Sequence, residues 1–327
     1  MAANTTHPGR DRVVTVLVAL TAVGFVLYAL VRILGLERGF PLVPLLAYAP
    51  LVLFAAPVAL LGALLLRRWW SAAAIALAGV LLATAIVPRA LESEPVALQG
   101  PPLRLLTLNA HFGHVDPDIV VDLVREHEVE LLALQEVTPE MVAGLDTAGL
   151  EELLPYAVDH SAPAAAGGSV HSVYPLDDLG DVGHDIGSLA MPRAGLRVPD
   201  AAGPVEVVSV HPMPPRRPST MAVWRDGLRG LPEATDGTVR ILAGDFNTTL
   251  DHAEMRDVLE SGYIDAAAHL GRGLTGTWPV GGPLPRAAID HVLVDERVAV
   301  VELEILDVPG TTHRALMTRL TLPGGRV

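Results

Sequence analysis

Residues 239–247, Val-Arg-Ile-Leu-Ala-Gly-Asp-Phe-Asn, form an apolar run that ends in a turn carrying a carboxylate and a carboxamide. A short apolar run closed by a turn reads as a buried strand. Side chains two apart on an extended segment point the same way, so Asp245 and Asn247 converge on one oxyanion or one cation. Alone, residues 244–247 are an ordinary Asx turn after a strand. Their meaning comes from the polar residues that end or open other apolar runs.

Working outward, residues 103–108 end in Asn109, and residues 131–134 end in Gln135-Glu136. Residues 205–210 end in His211-Pro212, and residues 287–289 lead into Asp290, His291 and the apolar 292–294. Residues 310–316, Gly-Thr-Thr-His-Arg-Ala-Leu, open a last strand-like run and contain His313. The order Asn, Glu, His, Asp-x-Asn, Asp, His resembles the endonuclease/exonuclease/phosphatase superfamily, whose members include DNase I-like nucleases, sphingomyelinases and inositol-phosphate phosphatases. The resemblance covers residues 102–322 and implies a four-layer α/β sandwich of two packed sheets.

It also implies roles. Glu136 is expected to be the principal ligand of Mg²⁺ (Mn²⁺ is the alternative), with Asn109 beside it. Asp245 orients or deprotonates the attacking water, Asn247 holds a phosphate oxygen, and His211 contacts the phosphate. Asp290 holds His313 in the tautomer and charge state that stabilise the transition state. The chemistry is sound from first principles. Phosphoryl hydrolysis needs neutralised equatorial oxygens and an aligned water, Mg²⁺ accepts a few hard oxygen ligands and keeps several waters, and an Asp partner orients an imidazole. One position departs from the pattern: the family has Asp before the last His, as the remaining metal ligand, where this chain has Thr312. A neutral hydroxyl is a weaker ligand, and the Asp290–His313 pair is untouched by the change.

Residues 168–176 resemble the family's strand and turn ending in Ser-x-Tyr-Pro, although Tyr174-Pro175 also reads as a plain turn, since Pro presets φ. Gly276-Thr277-Trp278-Pro279 stands where relatives place an aromatic near the substrate, and packing is its alternative reading. His111, His114, His171, His184 and His291 are read as structural or solvated, with His111 close enough to Asn109 to line the site.

The first ninety residues differ in kind. Residues 13–34, 41–66 and 70–87 are apolar runs, each close to the roughly 20 residues that cross a hydrocarbon core. They have no polar face to show water, and three runs argue against a cleaved signal peptide. The second contains Pro41, Pro44, Pro50 and Pro57, tolerated in membrane helices as kinks. The expectation is a three-helix transmembrane anchor over 1–90, a linker over 91–101 and the α/β domain over 102–327. Arg10 and Arg12 before the first run, with Arg67 and Arg68 between the second and third, keep those ends cytoplasmic. Three spans then put the catalytic domain outside the cytoplasm, in a multi-pass protein of the cell membrane. The connector of about 14 residues reaches at most about 45–50 Å when extended, which holds the site near the lipid surface.

The chain carries 23 basic residues, all Arg, against 37 acidic ones. Residues 1–94 hold seven Arg and four acids, a balance of +3, which leaves −17 on the remainder. So acidic a domain repels a polyanion, because nucleic-acid binding rests on a basic surface. The absence of cysteine decides nothing about compartment. Between the motif strands, Asp116-Pro117 reads as a helix start, residues 251–260 as a helix stopped near Gly262, and 289–294, 299–306 and 315–322 as late strands. Gly- and Pro-rich loops are expected at 161–168, 199–204 and 279–286.

Taken whole, the chain resembles the VanJ-type membrane proteins associated with glycopeptide-antibiotic resistance. That implies hydrolysis of a lipid-linked, undecaprenyl pyrophosphate at the outer leaflet, with the bilayer as partner and nucleic acid disfavoured. Two other readings stay open: an extracytoplasmic nuclease or phosphodiesterase, and a catalytically silent membrane-anchored binding protein that Thr312 makes conceivable.

Overall fold

The computed structural model describes residues 8–94 and 98–325. The chain divides into two compact units, one of residues 1–38 and 48–88, the other of residues 39–47 and 89–327. The four helices of the N-terminal region are α1 (Pro8–Leu34), α2 (Leu42–Leu46), α3 (Ala49–Leu65) and α4 (Trp69–Ile86).

In the first unit, α1, α3 and α4 meet through small residues, with Ala22, Ala63 and Ala72 packed beside Ile75. Small side chains let helices approach closely where the surroundings are apolar. The outward faces carry Leu20, Leu27, Phe54, Val58 and Leu77, all exposed. An ion pair between Asp11 and Arg68 puts the start of α1 at the same end as the α3–α4 turn. Residues Gly9–Leu34 and Trp69–Ala90 are long and apolar enough to cross a bilayer, whereas Ala49–Leu65 is a shorter apolar helix of 17 residues. The expectation of three full-length spans is corrected accordingly. The run 41–66 does not make one helix, because proline lacks the N–H and clashes with the preceding turn, so Pro50 is accommodated only in the first turn of a new helix. The structural boundary also differs from the expected 1–90 division. Residues 39–47, including α2, pack with the second unit, and Arg89, Glu92 and Ser93 already bond to it.

The second unit holds two six-stranded sheets. The strands are β1 (Pro102–Asn109), β2 (Leu131–Gln135), β3 (Tyr156–His160), β4 (Gly168–Ser172), β5 (Leu176–Asp181), β6 (Pro192–Leu196), β7 (Val205–Val210), β8 (Val239–Asp245), β9 (Tyr263–Asp265), β10 (Asp290–Asp295), β11 (Ala299–Asp307) and β12 (Arg314–Thr321). One sheet runs β11-β12-β1-β2-β4-β3 and the other β5-β6-β7-β8-β10-β9. In each, the central pair is parallel, β1 with β2 and β7 with β8, and every other pairing is antiparallel. The helices are α5 (Pro117–Glu126), α6 (Pro139–Thr147), α7 (Leu150–Leu153), α8 (Met221–Arg229), α9 (Ala253–Glu260) and α10 (Ala266–His269).

Three apolar layers hold these elements together. Leu105, Leu131, Val207, Ile241 and Val292 fill the space between the sheets. Leu106, Leu108 and Leu132 face Val120, Val124 and Leu145 of α5 and α6. Val208, Leu242 and Leu293 face Trp224 of α8, Met255 of α9 and Val43 of α2. Because both faces of the central strands are covered, they read as unbroken apolar runs rather than alternating ones. The helix expected from Asp251 begins at Ala253 instead. Asp251 does not cap it, since its carboxylate forms a two-point pair with Arg89 at 2.9 and 3.0 Å. Asp116 does cap α5, accepting the Asp118 N–H at 3.1 Å.

Candidate active site

Every residue singled out for chemistry lies at one edge of the two sheets. Asn109 ends β1, Glu136 follows β2, His211 follows β7, and Asp245 ends β8 with Asn247 two residues on. These are carboxyl ends of parallel strands, where open backbone turns leave room for a ligand. Asp290 opens β10 directly opposite Asp245 in the antiparallel register, and His313 stands one residue before β12. Glu136 and Asn247 both have positive φ, 57° and 48°, which turns each side chain back over the strand end.

Asn109 is the hub. Its Nδ2 donates to Glu136 Oε1 and to Asp245 Oδ2, each at 3.1 Å. Its Oδ1 accepts the His111 N–H at 2.9 Å, and the next amide, Phe112 N–H, donates to Glu136 Oε2 at 2.9 Å. His211 Nε2 lies 3.6 Å from Glu136 Oε1 and 3.7 Å from Asp245 Oδ2. Across the site, His313 Nδ1 donates to both oxygens of Asp290, at 3.0 and 3.1 Å, and its Nε2 faces Asp245 Oδ2 at 3.7 Å. Asn247 donates its backbone N–H to Asp245 Oδ1 at 2.9 Å and its amide to the Pro212 carbonyl at 3.0 Å, and among the described residues the second amide hydrogen has no partner.

Thr312 is half-buried, and its carbonyl accepts the Val280 N–H at 2.8 Å. Among the described residues no hydrogen bond of its hydroxyl joins it to this cluster. Trp278 does reach the site, its ring 6.2 Å from that of His313. Tyr174 does not: its hydroxyl donates to Glu130 at 2.9 Å, as a turn residue tied to its own sheet. His291 is a buried structural residue, held between Asp265 Oδ2 at 2.8 Å and the Thr248 carbonyl at 3.0 Å.

The protonation states follow from burial and charge. Burial alone would lower the pKa of His313, but the Asp290 and Asp245 carboxylates overcome it and hold the imidazolium at about 9. Burial pushes Asp245 up to about 7, against the opposing charge of His313 and with the repulsion of Asp290. Burial also pushes His211 down to about 4, so it is a neutral imidazole at physiological pH. The site thus gathers three carboxylates around one cation, which suits a divalent metal.

Asp245, Asp290 and His313 place one candidate ligand atom each within 4.8 Å of one another. Glu136 Oε1 adds a further hard oxygen beside this cluster, since it and Asp245 Oδ2 both accept from Asn109 Nδ2 at 3.1 Å. The buried His211 Nδ1 has no hydrogen-bond partner among the described residues, a further polar atom open to a ligand.

Supporting residues were not visible in the sequence. Thr311 Oγ1 donates to the Asn109 carbonyl at 2.8 Å and accepts the His313 N–H at 3.0 Å, stapling two functional residues together. Thr277 Oγ1 accepts the Asp290 N–H at 3.1 Å. Beneath the site, Gln135 Nε2 donates to Ser209 Oγ at 2.9 Å, and Ser209 in turn to the Leu134 carbonyl at 3.0 Å, a polar bridge between the sheets.

Two packed sheets with carboxylates, an amide and an Asp–His pair at the strand ends define a phosphoester-hydrolase type of site. The chain belongs to the endonuclease/exonuclease/phosphatase family, whose model matches residues 106–313. This is a family of hydrolases acting on phosphoester bonds, and it typically uses divalent metals. No curated protein sequence matches the chain significantly. Among solved structures, an endonuclease/exonuclease/phosphatase from Beutenbergia cavernae DSM 12333 is 17% identical, with 69% of this chain and 73% of that chain covered and a TM-score of 0.50. A family protein from Leptotrichia buccalis C-1013-b is 15% identical over 67% of this chain and 100% of its own, with a TM-score of 0.51. D. rerio TDP2 complexed with single strand DNA product is 14% identical over 67% and 99%, with a TM-score of 0.52. At these identities the likeness is one of fold.

Proposed function

We propose that this chain is a membrane-anchored, divalent-metal-dependent phosphohydrolase with its catalytic unit outside the cytoplasm, acting on a lipid-linked phosphate of the undecaprenyl pyrophosphate class. The observation that carries the hydrolytic part is the buried Asp290–His313 pair facing Asp245 across 3.7 Å. Asp245, titrating near neutrality, takes the proton of the attacking water. Imidazolium His313 neutralises charge on the reacting phosphate oxygens, and Asp290 fixes its orientation. Asn247 offers an amide hydrogen to a phosphate oxygen, and neutral His211 offers a hydrogen bond from the opposite side. A divalent cation held by Glu136 at the edge of this cluster would supply further charge neutralisation and orient the phosphate.

The lipid substrate is supported by the apolar outer faces of α1, α3 and α4, by the −17 balance that repels a polyanion, and by the VanJ-type resemblance. The location is supported by the residues 39–47. Val43 of α2 is buried in the core of the catalytic unit, and His252 Nε2 donates to its carbonyl at 2.9 Å while Nδ1 accepts the Thr249 N–H at 3.0 Å. Residues 39–47 and 89–325 therefore share one side of a membrane, so α3 and α4 cross it as a pair or not at all. At 1.5 Å per residue α3 is about 25 Å long, at the short end of spanning lengths. With α1 the count is three, and Arg10, Arg12, Arg67 and Arg68 lie at the cytoplasmic end.

The test is phosphate release by the detergent-purified full chain from a prenyl diphosphate, single-stranded DNA and an inositol phosphate, with Mg²⁺ and with chelator. Metal-dependent release from the prenyl diphosphate is expected. Turnover of DNA alone would replace the lipid substrate with a polynucleotide.

A further inference from the structure

His211 is followed by a proline-rich segment, residues 212–218, containing Pro212, Pro214, Pro215 and Pro218. The segment is pinned at several points. Pro212 O accepts from Asn247, Met213 N–H donates to Ser188 Oγ at 3.2 Å, and Pro214 O accepts from Arg216 N–H and Thr220 Oγ1, each at 2.9 Å. Prolines and these bonds remove most of the loop's freedom before any ligand arrives, which lowers the cost of binding. At its tip is Arg216, exposed, with no ion pair among the described residues. Its guanidinium carbon sits 5.7 Å from the centre of the Trp278 ring, within cation–π range. Trp278 in turn lies 6.2 Å from His313.

Exposed Arg217, Arg229 and Arg286 also lack an ion pair among the described residues, so what sets Arg216 apart is its seat on Trp278 beside the site. Asp290, His313, Trp278 and Arg216 thus form a continuous line from the reacting centre to a preset cation. The reacting phosphate is already provided for by His313, His211 and Asn247, so the cation at the far end is left for a second anionic group.

We propose that Arg216, seated on Trp278, is the specificity-determining residue that grips the non-reacting phosphate of a diphosphate substrate, so that the site prefers diphosphates to monophosphates. This rests on the hydrolase reading above and deepens it. Arginine suits the task because its planar fork pairs with phosphate and stacks on an aromatic face, which lysine does less well.

The experiment uses the full chain in detergent and measures binding of inorganic pyrophosphate and of inorganic phosphate by calorimetry, for the wild type, Arg216→Gln, Arg216→Lys and Trp278→Leu. Arg216→Gln is expected to weaken pyrophosphate binding by about tenfold or more, the worth of one charge-assisted contact, and to leave phosphate binding within about threefold. Arg216→Lys should recover part of the loss, and Trp278→Leu should lose an intermediate amount by unseating the guanidinium. In kinetics on geranylgeranyl diphosphate, the Gln variant should raise KM rather than lower kcat. Equal losses for the two anions, no loss at all, or a wild type that does not favour pyrophosphate would each overturn the assignment. A wild type inert on every ester would sink the hydrolase reading separately, while the binding comparison still decides the role of Arg216.

Discussion

At the residue scale, the tetrapeptide Gly244-Asp245-Phe246-Asn247 divides its labour by direction. Asp245 and Asn247 face the site, and Phe246 turns the other way into the core, edge-on to His291 at 5.6 Å. Gly244 has φ 152°, and a Cβ there would lie 2.2 Å from the Val210 carbonyl oxygen. No side chain fits without moving β7 from β8, so Gly244→Ala should destabilise the catalytic unit by about 1–3 kcal/mol, read as a lower unfolding midpoint. Glu136→Gln keeps shape and hydrogen bonding to Phe112 but removes an anionic donor from the proposed metal site. Activity should fall at least about 100-fold with the unfolding midpoint held, and near-normal turnover at limiting Mg²⁺ would refute the ligand assignment. Thr312→Asp tests the one departure from the family pattern. A carboxylate facing the metal would lower the Mg²⁺ concentration needed for half-maximal activity, whereas an unchanged requirement would show that position 312 points elsewhere.

At the scale of elements, burial on both faces made the central strands legible. β1, β2, β7, β8, β10 and β12 announce themselves as apolar runs because helices and the second sheet cover them. The site was legible for the same reason, since each functional residue interrupts such a run. The edge strands were not: β5 reads Leu-Asp-Asp-Leu-Gly-Asp and is mostly exposed, so nothing in its pattern separates it from a loop. The stapling hydroxyls of Thr311 and Thr277 were hidden too, because their partners are distant in sequence. His171 in β4 is structural rather than solvated: it is buried and bonded to Ser169 at 3.0 Å, and burial pushes its pKa down to about 4. The unfolded chain, with a His pKa near 6.5, binds the extra proton first as pH falls. The contribution is therefore whole above pH 6.5 and is lost towards pH 4, up to about 3 kcal/mol. Denaturant unfolding at pH 7, 5 and 4 should show a shallower acid loss in His171→Gln than in the wild type. Equal losses would mean that His171 protonates without disturbing the fold.

At the scale of the whole molecule, the decisive local fact is that α2 belongs with the catalytic unit. A count of long apolar helices alone would give two spans, α1 and α4, and would put residues 39–47 and 89–325 on opposite sides of a membrane. If the chain is membrane-anchored as proposed, the burial of Val43 and its bond to His252 require residues 39–47 to lie on the side of the catalytic unit, and α3 would then have to cross with α4. The chain has no cysteine, so single introduced thiols report on location without background. Leu42→Cys, on the exposed side of α2, and Ser161→Cys, in the loop before β4, should both react with a membrane-impermeant maleimide in intact cells, and Gly9→Cys only after lysis. Reaction of position 161 without position 42 would break the pairing of α2 with the catalytic unit and restore the two-span count. Labelling of both only after lysis would keep the packing but move the catalytic unit to the cytoplasm, and a substrate in the outer leaflet would then be out of its reach.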